Sequence, residues 1–422
     1  MEKIAGIFIL YERCISHMIA TAGCTIVSKN YLAYAKTLCD SFKRFNPDAP
    51  FYVLLVDELE DANLDLNAER YELIEAKSIG IHNFKRIAFR FDILELNTNV
   101  KPSFLKFLMR DRSVQRLLYL DPDILIASSL QPVFDLLDES QILLTPHCLT
   151  PITDNLRPSE QDFLAVGVFN LGFIGVKDTL ETGRFLDWWE QRCLTLGFSE
   201  MRTGLFVDQK WCNLAPCLFD GVEIIKNAGW NMAYWNLHER MLSKQAGLWV
   251  VNGKIPLLFF HFSGVAMSER DQISRHQNRF DLNSRPDLKE IFGSYRDLLL
   301  SNGMNDFGKL PYKYGKFSNG KPITRLARSL FAANENDFLG SDPFDASGDV
   351  YLWCKRKGIL EGNDESANFN SRTYKPSDWR VRLINTGLRL LLRILNAGRY
   401  TMLMKYLSHI TVLRNQGGIH KV

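Results

Sequence analysis

Two aspartates, Asp121 and Asp123, lie one residue apart and directly follow the apolar run at 116–120. In an extended segment, side chains at positions i and i+2 point to the same side of the chain. Paired carboxylates hold hard divalent cations, and such a cation can neutralise the charge that builds up on a leaving diphosphate. The pair therefore predicts a metal site, but solvated carboxylates in a strand-end turn would have the same spacing.

His261 offers a third metal ligand, because it directly follows the apolar run at 256–260. An imidazole nitrogen at the end of a strand can join carboxylates around a metal ion. Ser263 and Gly264 come next, and a small, flexible turn lets backbone N–H groups approach a phosphate. A lone histidine at a strand end can also be purely structural, so both interpretations stay open at this point.

Further polar residues adjoin other apolar segments. Asn170 and the pair Asp208-Gln209 each follow an apolar run, where they could position a substrate or serve as loop residues or helix caps. Lys101 precedes Pro102 and could contact a phosphate or hold Asp121, although an isolated lysine is usually exposed. None of these residues is specific for one chemistry by itself.

The elements that carry these residues predict an α/β fold with a mostly parallel central sheet. Short apolar segments alternate with helical patterns, and parallel strands covered on both faces have such apolar sequences. The predicted strands lie at 24–27, 51–56, 71–74, 116–120, 141–145, 168–176 and 257–261. The predicted helices include 31–45, 84–96 and 179–196. Ligands of such sheets bind beyond the carboxyl ends of the strands, where Lys29, Asp57 and Asp121 lie.

The composition is that of a globular protein. The 422 residues include 46% hydrophobic and 23% charged residues, and the formal net charge of +3 gives no reason to expect a nucleic-acid partner. The eight cysteines form no Cys-x-x-Cys pair, which argues against zinc fingers and disulfide scaffolds and favours reduced thiols in the cytoplasm. Glu2 does not suit the basic start of a signal peptide, and Glu12, Arg13 and His17 interrupt the apolar run that follows, so a signal peptide is not expected. No stretch approaches the about 20 uninterrupted apolar residues that span a bilayer.

The order of the motifs along the chain carries a resemblance. The most distinctive motifs are YLDPDI at 119–124, FNLGFIG at 169–175, FVDQ at 206–209, YWNLHER at 234–240 and HFSG at 261–264. As an ordered set over about residues 23–330, they resemble glycosyltransferase family 8, the group of glycogenin and bacterial lipooligosaccharide galactosyltransferases. The resemblance is closer to a set of bacterial proteins that are encoded in polysaccharide gene clusters.

This resemblance implies a Rossmann-like GT-A fold, a UDP-sugar donor, Mn²⁺ or Mg²⁺, and retention of the anomeric configuration. It implies that Asp121 contacts the metal and the ribose, and that Asp123 and His261 ligate the metal. The residues that would line the sugar pocket and position the donor are Asn170, Asp208 and Gln209. The residues expected in donor binding are Thr25, Lys29, Asp57, Lys101, Asp121 and Gly264. Among them, Lys29 and Asp57 are chosen for their place beyond the ends of strands, and Gly264 for its small turn.

One segment departs from the family pattern. Family 8 sequences usually carry Gly-x-x-Lys-Pro-Trp after the histidine, and that lysine contacts the diphosphate. This chain has no lysine in the corresponding run at 264–268. Lys29, Arg270 or Arg275 could supply the missing positive charge, so the diphosphate contacts and the subfamily stay open.

We expect an N-terminal extension at 1–22, a GT-A catalytic domain at 23–330, linker and accessory loops at 331–377, and a helical tail at 378–422. The predicted function is metal-dependent transfer of a hexose-type sugar from a nucleotide sugar to a surface-polysaccharide or lipid-linked glycan acceptor. A glycoside hydrolase and a catalytically silent scaffold are the alternatives. Carboxylates at i and i+2 cannot flank a bond from opposite sides, as a hydrolase requires, and the intact Asp-Pro-Asp and histidine argue against a silent scaffold.

The tail has the pattern of a basic amphipathic helix that begins after Asp378, a good N-cap residue. Residues 379–422 contain eight Lys or Arg and no Asp or Glu. Such a helix can lie on an anionic membrane surface through 378–414, which would place an otherwise cytoplasmic enzyme at the inner face of the cytoplasmic membrane. The same pattern also fits a helix packed on the catalytic domain or on a partner protein.

Overall fold

The computed structural model describes residues 21–61, 65, 69–360 and 377–421. The predicted N-terminal extension at 1–22 therefore lies, except for its last two residues, outside the described part of the chain. The chain forms two compact units. The first comprises the described parts of Met1–His82 and Leu94–Tyr312, and the second comprises those of Asn83–Ile93 and Lys313–Val422. The domain boundaries expected at residues 23 and 330 stay a prediction.

All the strands belong to the first unit. They are β1 (Thr21–Val27), β2 (Phe51–Leu55), β3 (Glu72–Glu75), β4 (Arg116–Leu120), β5 (Ile124–Ile126), β6 (Ile142–Pro146), β7 (Phe169–Lys177), β8 (Val222–Ile224), β9 (Met232–Ala233), β10 (Leu242–Gln245), β11 (Leu248–Val251), β12 (Ile255–Pro256) and β13 (Phe259–His261). The described residues contain no strand in the second unit.

The α-helices occur in both units. In chain order they are α1 (Leu32–Phe45), α2 (Phe84–Arg90), α3 (Ile93–Asn99), α4 (Lys101–Asp111), α5 (Gln131–Glu139), α6 (Glu160–Val166), α7 (Leu180–Leu196), α8 (Ala215–Leu218), α9 (Lys289–Ser301), α10 (Met304–Phe307), α11 (Arg325–Ala333), α12 (Asp349–Arg356) and α13 (Trp379–Ile410).

The central sheet has seven strands in the order β3-β2-β1-β4-β7-β6-β8. Strand β1 pairs in parallel with β2 and β4, β2 pairs in parallel with β3, and β6 pairs in parallel with β8. Strand β7 runs antiparallel to its two neighbours, β4 and β6. This mostly parallel sheet, together with the helices around it and the C-terminal helix α13, confirms the predicted fold class.

An apolar core fixes the sheet that carries the candidate site. Every residue of β2 is buried, as expected for a strand covered on both faces. Helix α1 turns one face onto the sheet, and that face consists of Leu32, Ala35, Leu38, Cys39 and Phe42. Spacings of three and four residues place side chains on the same face of a helix, so the sequence of α1 matches its packing.

A small sheet in the order β5-β13-β9 brings distant parts of the first unit together. Strand β5 runs antiparallel to β13, with Ile124 opposite His261. Strand β9 runs parallel to β13, with Ala233 opposite His261. The sheet therefore places the segment after Asp123 beside His261 and beside the chain that leads into β9.

The second unit has a core of its own around Phe89, Phe331 and Trp353. Arg328 is buried and donates hydrogen bonds to the carbonyls of Ala88, Phe89 and Phe91 at 3.0, 2.9 and 2.8 Å. These bonds satisfy carbonyl groups at the end of α2. The prediction of one continuous helix at 84–96 is wrong, because the chain is extended at Phe91 before α3 begins.

Helix α13 begins after Asp378, whose carboxylate accepts a hydrogen bond from the N–H of Arg380 at 2.9 Å, as predicted for an N-cap. Within Trp379–Ile410, which is fully described, Val381 is the one buried residue. Asn396 has φ +61° and interrupts the helical backbone. None of the described helices is long and apolar enough to cross a membrane.

Candidate active site

The Asp-Pro-Asp segment forms a tight turn at the carboxyl end of β4. The N–H of Asp121 donates to the carbonyl of Gly172 on β7 at 2.7 Å, and the N–H of Ile124 donates to the carbonyl of Asp121 at 3.1 Å. The first bond ties the turn to the central sheet, and the second starts the reversal into β5. Both carboxylates are therefore held at the edge where ligands of parallel sheets bind.

His261 reaches the same point from the small sheet. The N–H of Phe262 donates to the carbonyl of Asp123 at 2.8 Å, which fixes the end of β13 against the turn. Nε2 of His261 lies 2.9 Å from Oδ1 of Asp123 and 3.7 Å from Oδ2 of Asp121. One ligand atom from each of these three residues lies within 4.8 Å of the other two. The structure thus brings together the three predicted metal ligands.

The donor set fits a divalent cation. Two carboxylates and one imidazole are ligands that Mn²⁺ accepts, and Mg²⁺ favours the carboxylate oxygens. Gly172 borders the three side chains, and a Cβ atom there would lie 2.3 Å from Cε1 of His261 and 2.8 Å from Oδ2 of Asp121. Such distances are too short for any side chain, so the glycine keeps the space next to the ligands open.

Burial and the nearby carboxylates shift the pKa of His261 in opposite directions. Burial by itself lowers the pKa of the imidazole, because a charged ring loses its hydration. The nearby carboxylate of Asp123 raises that pKa, and the net shift is upward from the ordinary value. Two carboxylates therefore face the ring, and their negative charge also favours a bound cation.

Lys101 and Asp208 form a buried ion pair beside this site. Nζ of Lys101 lies 2.6 Å from Oδ2 of Asp208, and both side chains are 2% exposed. The same Nζ donates to the carbonyl of Leu171 at 2.7 Å and lies 4.1 Å from the centre of the Tyr119 ring. The hydroxyl of Tyr119 in turn donates to Oδ1 of Asp121 at 2.7 Å. The pair is therefore linked through Tyr119 to the Asp-Pro-Asp turn.

The segment around Asp208 is tied to β7 and α7. Burial raises the pKa of the Asp208 carboxyl, and the ammonium of Lys101 opposes that shift. Oε1 of Gln209 accepts from the N–H of Leu171 at 3.1 Å, and its Nε2 donates to the carbonyl of Val166 at 3.1 Å. Nε1 of Trp189 donates to the carbonyl of Asp208 at 2.9 Å. Both polar ends of Gln209 thus bind backbone groups, one next to Asn170 on β7 and one at the end of α6.

The predicted donor-binding residues at the ends of β1 and β2 are also buried. Thr25 and Lys29 are 0% and 1% exposed. Nζ of Lys29 lies 3.9 Å from Oδ1 of Asp57, so these two residues form a buried ion pair. Strands β1, β2 and β4 run in parallel, and the three residues therefore lie at the same sheet edge as Asp121.

Gly264 occupies a turn that only glycine fits well. Its φ is +72°, and a Cβ atom there would lie 2.4 Å from Cδ2 of His276 and 2.7 Å from Oγ of Ser274. The carbonyl of Gly264 accepts from the N–H of Arg275 at 3.0 Å. The turn after His261 therefore places the exposed Arg275 next to Gly264, at the start of the run in which this chain has no lysine.

Sequence reasoning missed two residues that the structure places in the site. Tyr119 connects Lys101 to Asp121, and Asn231 lies 3.2 Å from Nδ1 of His261 through its Oδ1 atom. Asn231 is 0% exposed and lies just ahead of β9. The one signal in the sequence is its position three residues before the YWNLHER motif, and that position does not predict a contact with His261.

This chain is similar in sequence to some known proteins and in structure to others, whereas no protein-family model matches it. YfnF of Bacillus subtilis, named as an uncharacterized protein, is 27% identical over 286 residues, which cover 66% of this chain and 91% of YfnF. The galactosyltransferase LgtC, solved with donor and acceptor sugar analogs, has a TM-score of 0.40 and 17% identity, covering 66% of this chain and 95% of LgtC. The glycosyltransferase GlyE of Streptococcus pneumoniae has a TM-score of 0.37 and 17% identity, covering 74% of each chain.

Proposed function

We propose that this protein is a metal-dependent GT-A glycosyltransferase. It transfers a hexose-type sugar from a UDP-sugar donor to a surface-polysaccharide or lipid-linked glycan acceptor. The transfer retains the anomeric configuration of the donor. The observation that carries the proposal is the convergence of Asp121, Asp123 and His261 at the carboxyl end of a central parallel strand. The ordered motifs that resemble family 8 support the choice of donor and of stereochemistry.

Asp123 and His261 would hold Mn²⁺ or Mg²⁺ together with Asp121, which we also assign to the ribose. The bound cation supplies charge neutralisation for the leaving diphosphate. Tyr119 orients Asp121 through its hydroxyl, and it lies over the ammonium of Lys101.

The sugar side of the site follows from the neighbouring contacts. Asn170 lies on β7, Gln209 bonds to the β7 backbone at Leu171, and Asp208 pairs with Lys101. We assign Asn170, Asp208 and Gln209 to positioning the donor sugar. Holding the reacting groups in one geometry lowers the barrier, because the entropy of bringing them together is already lost on binding. Thr25, Lys29, Asp57, Lys101 and Gly264 complete the proposed donor site at the same sheet edge.

Purified protein should release the nucleotide from one class of donor, and it should do so only with a divalent cation present. UDP-, GDP- and dTDP-sugars are compared with and without Mn²⁺, first by thermal shift and then by hydrolysis and transfer. We expect UDP-sugars to be turned over, and proton NMR of the first-formed product should show an α linkage from an α-linked donor. A β product would contradict retention.

The same assays separate the alternatives. Cleavage of oligosaccharides by water, without any nucleotide, would indicate a glycoside hydrolase. Absence of turnover for every donor, with bound nucleotide still stabilising the protein, would indicate a catalytically silent scaffold. Either result would contradict the proposed transferase.

We further propose that helix α13 lets the protein associate peripherally with an anionic membrane at the cytoplasmic face. Its large apolar side chains are exposed, including Trp379, Leu383 and Ile394 at 69%, 65% and 68%. The segment 379–422 carries eight basic and no acidic residues, so its charge complements anionic headgroups. Basic amphipathic helices bind such surfaces through apolar burial together with electrostatic attraction.

Flotation with anionic liposomes tests this contact. Wild-type protein is compared with a variant in which Arg382, Arg389 and Arg393 are replaced by glutamine, which keeps the apolar side chains of α13. We expect wild-type protein to float at low salt and to be released as salt rises, because screening acts over about 8 Å at physiological ionic strength. The variant should float less, and neutral liposomes serve as the control. Wild-type protein that stays in the soluble fraction at low salt would contradict the membrane contact.

A further inference from the structure

Asn231 is a fully buried amide that joins the metal-binding side of the site to its sugar side. Its Oδ1 lies 3.2 Å from Nδ1 of His261. Its Nδ2 donates to Oδ1 of Asn170 at 3.0 Å and to Oγ1 of Thr145 at 2.9 Å. A buried amide is costly unless its polar atoms are hydrogen-bonded, and Asn231 has partners at both ends. One side chain thus connects a predicted metal ligand with a residue assigned to the donor sugar.

The direction of these hydrogen bonds follows from one backbone group. The N–H of Gly172 can only donate, and it lies 3.2 Å from Oδ1 of Asn170. The Asn170 atom is therefore an acceptor, and the atom of Asn231 that faces it must be the amide nitrogen. The other end of Asn231 is then the carbonyl oxygen, which can only accept. Nδ1 of His261 must accordingly carry a hydrogen, which leaves the lone pair of the neutral ring on Nε2.

We propose that Asn231 is a positioning residue that holds His261 with the lone pair of Nε2 directed at the two aspartates. Through the other end of its amide, Asn231 also fixes the orientation of the Asn170 side chain. The proposal rests on the metal dependence in the proposed function. Nε2 lies 2.9 Å from Asp123 and 3.7 Å from Asp121, so lone pairs of three ligands face one another where a cation would lie.

The backbone around Asn231 holds this amide in place. Its φ is +52°, in the left-handed region where asparagine is enriched several-fold among non-glycine residues. Asn236, also 0% exposed, donates its Nδ2 to the carbonyls of Asn231 and His147 at 3.0 and 3.1 Å. Oδ1 of Asn236 accepts from the N–H of Ala233 at 2.9 Å. Rotation of Asn231 away from His261 would therefore leave several buried polar groups without partners.

The contributions of the oxygen and the nitrogen of the Asn231 amide can be tested separately by mutation. Asn231→Leu removes the acceptor for His261 and the donor for Asn170 at similar side-chain volume. Asn231→Asp keeps an acceptor for Nδ1 of His261 but cannot donate to Asn170. Asn231→Asp also adds a negative charge beside the candidate metal site, and that charge alone attracts a cation. Its Mn²⁺ affinity is therefore interpreted together with a readout of imidazole coordination, which added charge alone does not restore.

Mn²⁺ binding to the full-length protein, with the metal alone and no donor, is measured by EPR detection of free Mn²⁺. We expect Asn231→Leu to bind Mn²⁺ about 10- to 100-fold more weakly, the usual effect of losing the partner that orients a ligating histidine. We expect Asn231→Asp to bind at least as tightly as wild type. With saturating Mn²⁺, Asn231→Asp should still lose transfer activity, because Asn170 is no longer held.

A spectroscopic readout distinguishes this role from simple packing. Pulsed EPR of bound Mn²⁺ should show ¹⁴N modulation from a coordinated imidazole in wild type and in Asn231→Asp. The modulation should disappear in His261→Gln and weaken in Asn231→Leu. Asp138→Asn, at the opposite end of β4 from the site, is the control, because it should keep both the Mn²⁺ affinity and the ¹⁴N modulation. If the leucine variant does not fold by circular dichroism, Asn231→Gly, which tolerates φ +52°, takes its place.

Two results would overturn the proposal. One is a leucine or glycine variant with wild-type Mn²⁺ affinity and unchanged ¹⁴N modulation. The other is an aspartate variant that loses as much Mn²⁺ affinity as the leucine variant. Failure of the proposed glycosyl transfer has a different signature, in which wild type binds Mn²⁺ with ¹⁴N modulation, the variants behave as expected, and no donor is turned over.

Discussion

Replacing Asp123 by asparagine is expected to lower kcat/KM for sugar transfer by at least about 1000-fold, with little change in thermal stability. The carboxylate lies 2.9 Å from Nε2 of His261, and its side chain is 20% exposed, so it is partly open to solvent and not part of the core. Loss of a bound metal removes several kcal/mol of charge stabilisation in the transition state, and about 1.4 kcal/mol corresponds to a tenfold change in rate. Steady-state transfer kinetics at saturating Mn²⁺, together with thermal unfolding, measure both effects.

The control for this variant is the same change at a different carboxylate. Asp138 pairs with Arg116 at 3.0 Å at the opposite end of β4 and is 58% exposed, so Asp138→Asn should keep wild-type kinetics. EDTA should abolish transfer by the wild-type enzyme, and added Mn²⁺ should restore it. Wild-type turnover in Asp123→Asn, or transfer that survives EDTA, would show that the three residues do not hold a catalytic metal.

The three candidate metal ligands could be selected from the sequence because each lies at the end of an apolar strand. Asp121 and Asp123 come after β4, and His261 ends β13, so the local pattern already placed all three at strand ends. Their convergence could not be derived in the same way. It depends on the antiparallel register that sets Ile124 opposite His261, and β5 has only three residues to encode that pairing. The resemblance to family 8 supplied the connection that short-range patterns lack.

The contacts that support these three residues could not be predicted from the sequence, and the reason is physical. Lys101 and Asp208 were predicted separately, one near the Asp-Pro-Asp turn and the other in the sugar pocket, and the structure joins them in one ion pair. No periodicity relates residues on α4 to residues in a distant loop. Asn231 was missed because its role depends on a left-handed backbone and on two strands that meet only in the folded chain.

The predicted helix at 84–96 shows the same limit. Its apolar spacing suits a helix on both sides of residue 91, so periodicity alone gives one element. In the structure, the carbonyl of Phe91 accepts from the buried guanidinium of Arg328 at 2.8 Å, and the backbone of Phe91 is extended. A tertiary contact from a residue far along the chain thus ends α2, which local propensity could not foresee.

Lys101→Met is expected to destabilise the protein by about 3–5 kcal/mol and to lower transfer activity as well. The substitution leaves Asp208 buried without its cation, and an uncompensated buried charge costs that much even though an intact buried pair adds little net stability. Activity should fall because Nζ of Lys101 also binds the carbonyl of Leu171 and lies against Tyr119, which orients Asp121. Urea unfolding and transfer kinetics measure the two effects separately.

Two further variants decide whether the pair acts as a unit. Asp208→Asn combined with Lys101→Met removes both charges, so the double variant should regain part of the lost stability. Transfer should stay low, because the Lys101 ammonium that contacts Leu171 and Tyr119 and the Asp208 carboxylate assigned to the sugar are both missing. Lys106→Met is the matched control on the same helix. Lys106 pairs with Asp187 and Glu190 and is 34% exposed, and such a surface lysine should contribute about 0–1 kcal/mol. If Lys101→Met costs no more stability than Lys106→Met, or if the double variant is as unstable as the two single losses combined, the buried pair is not coupled and Asp208 must be assigned a role independent of Lys101.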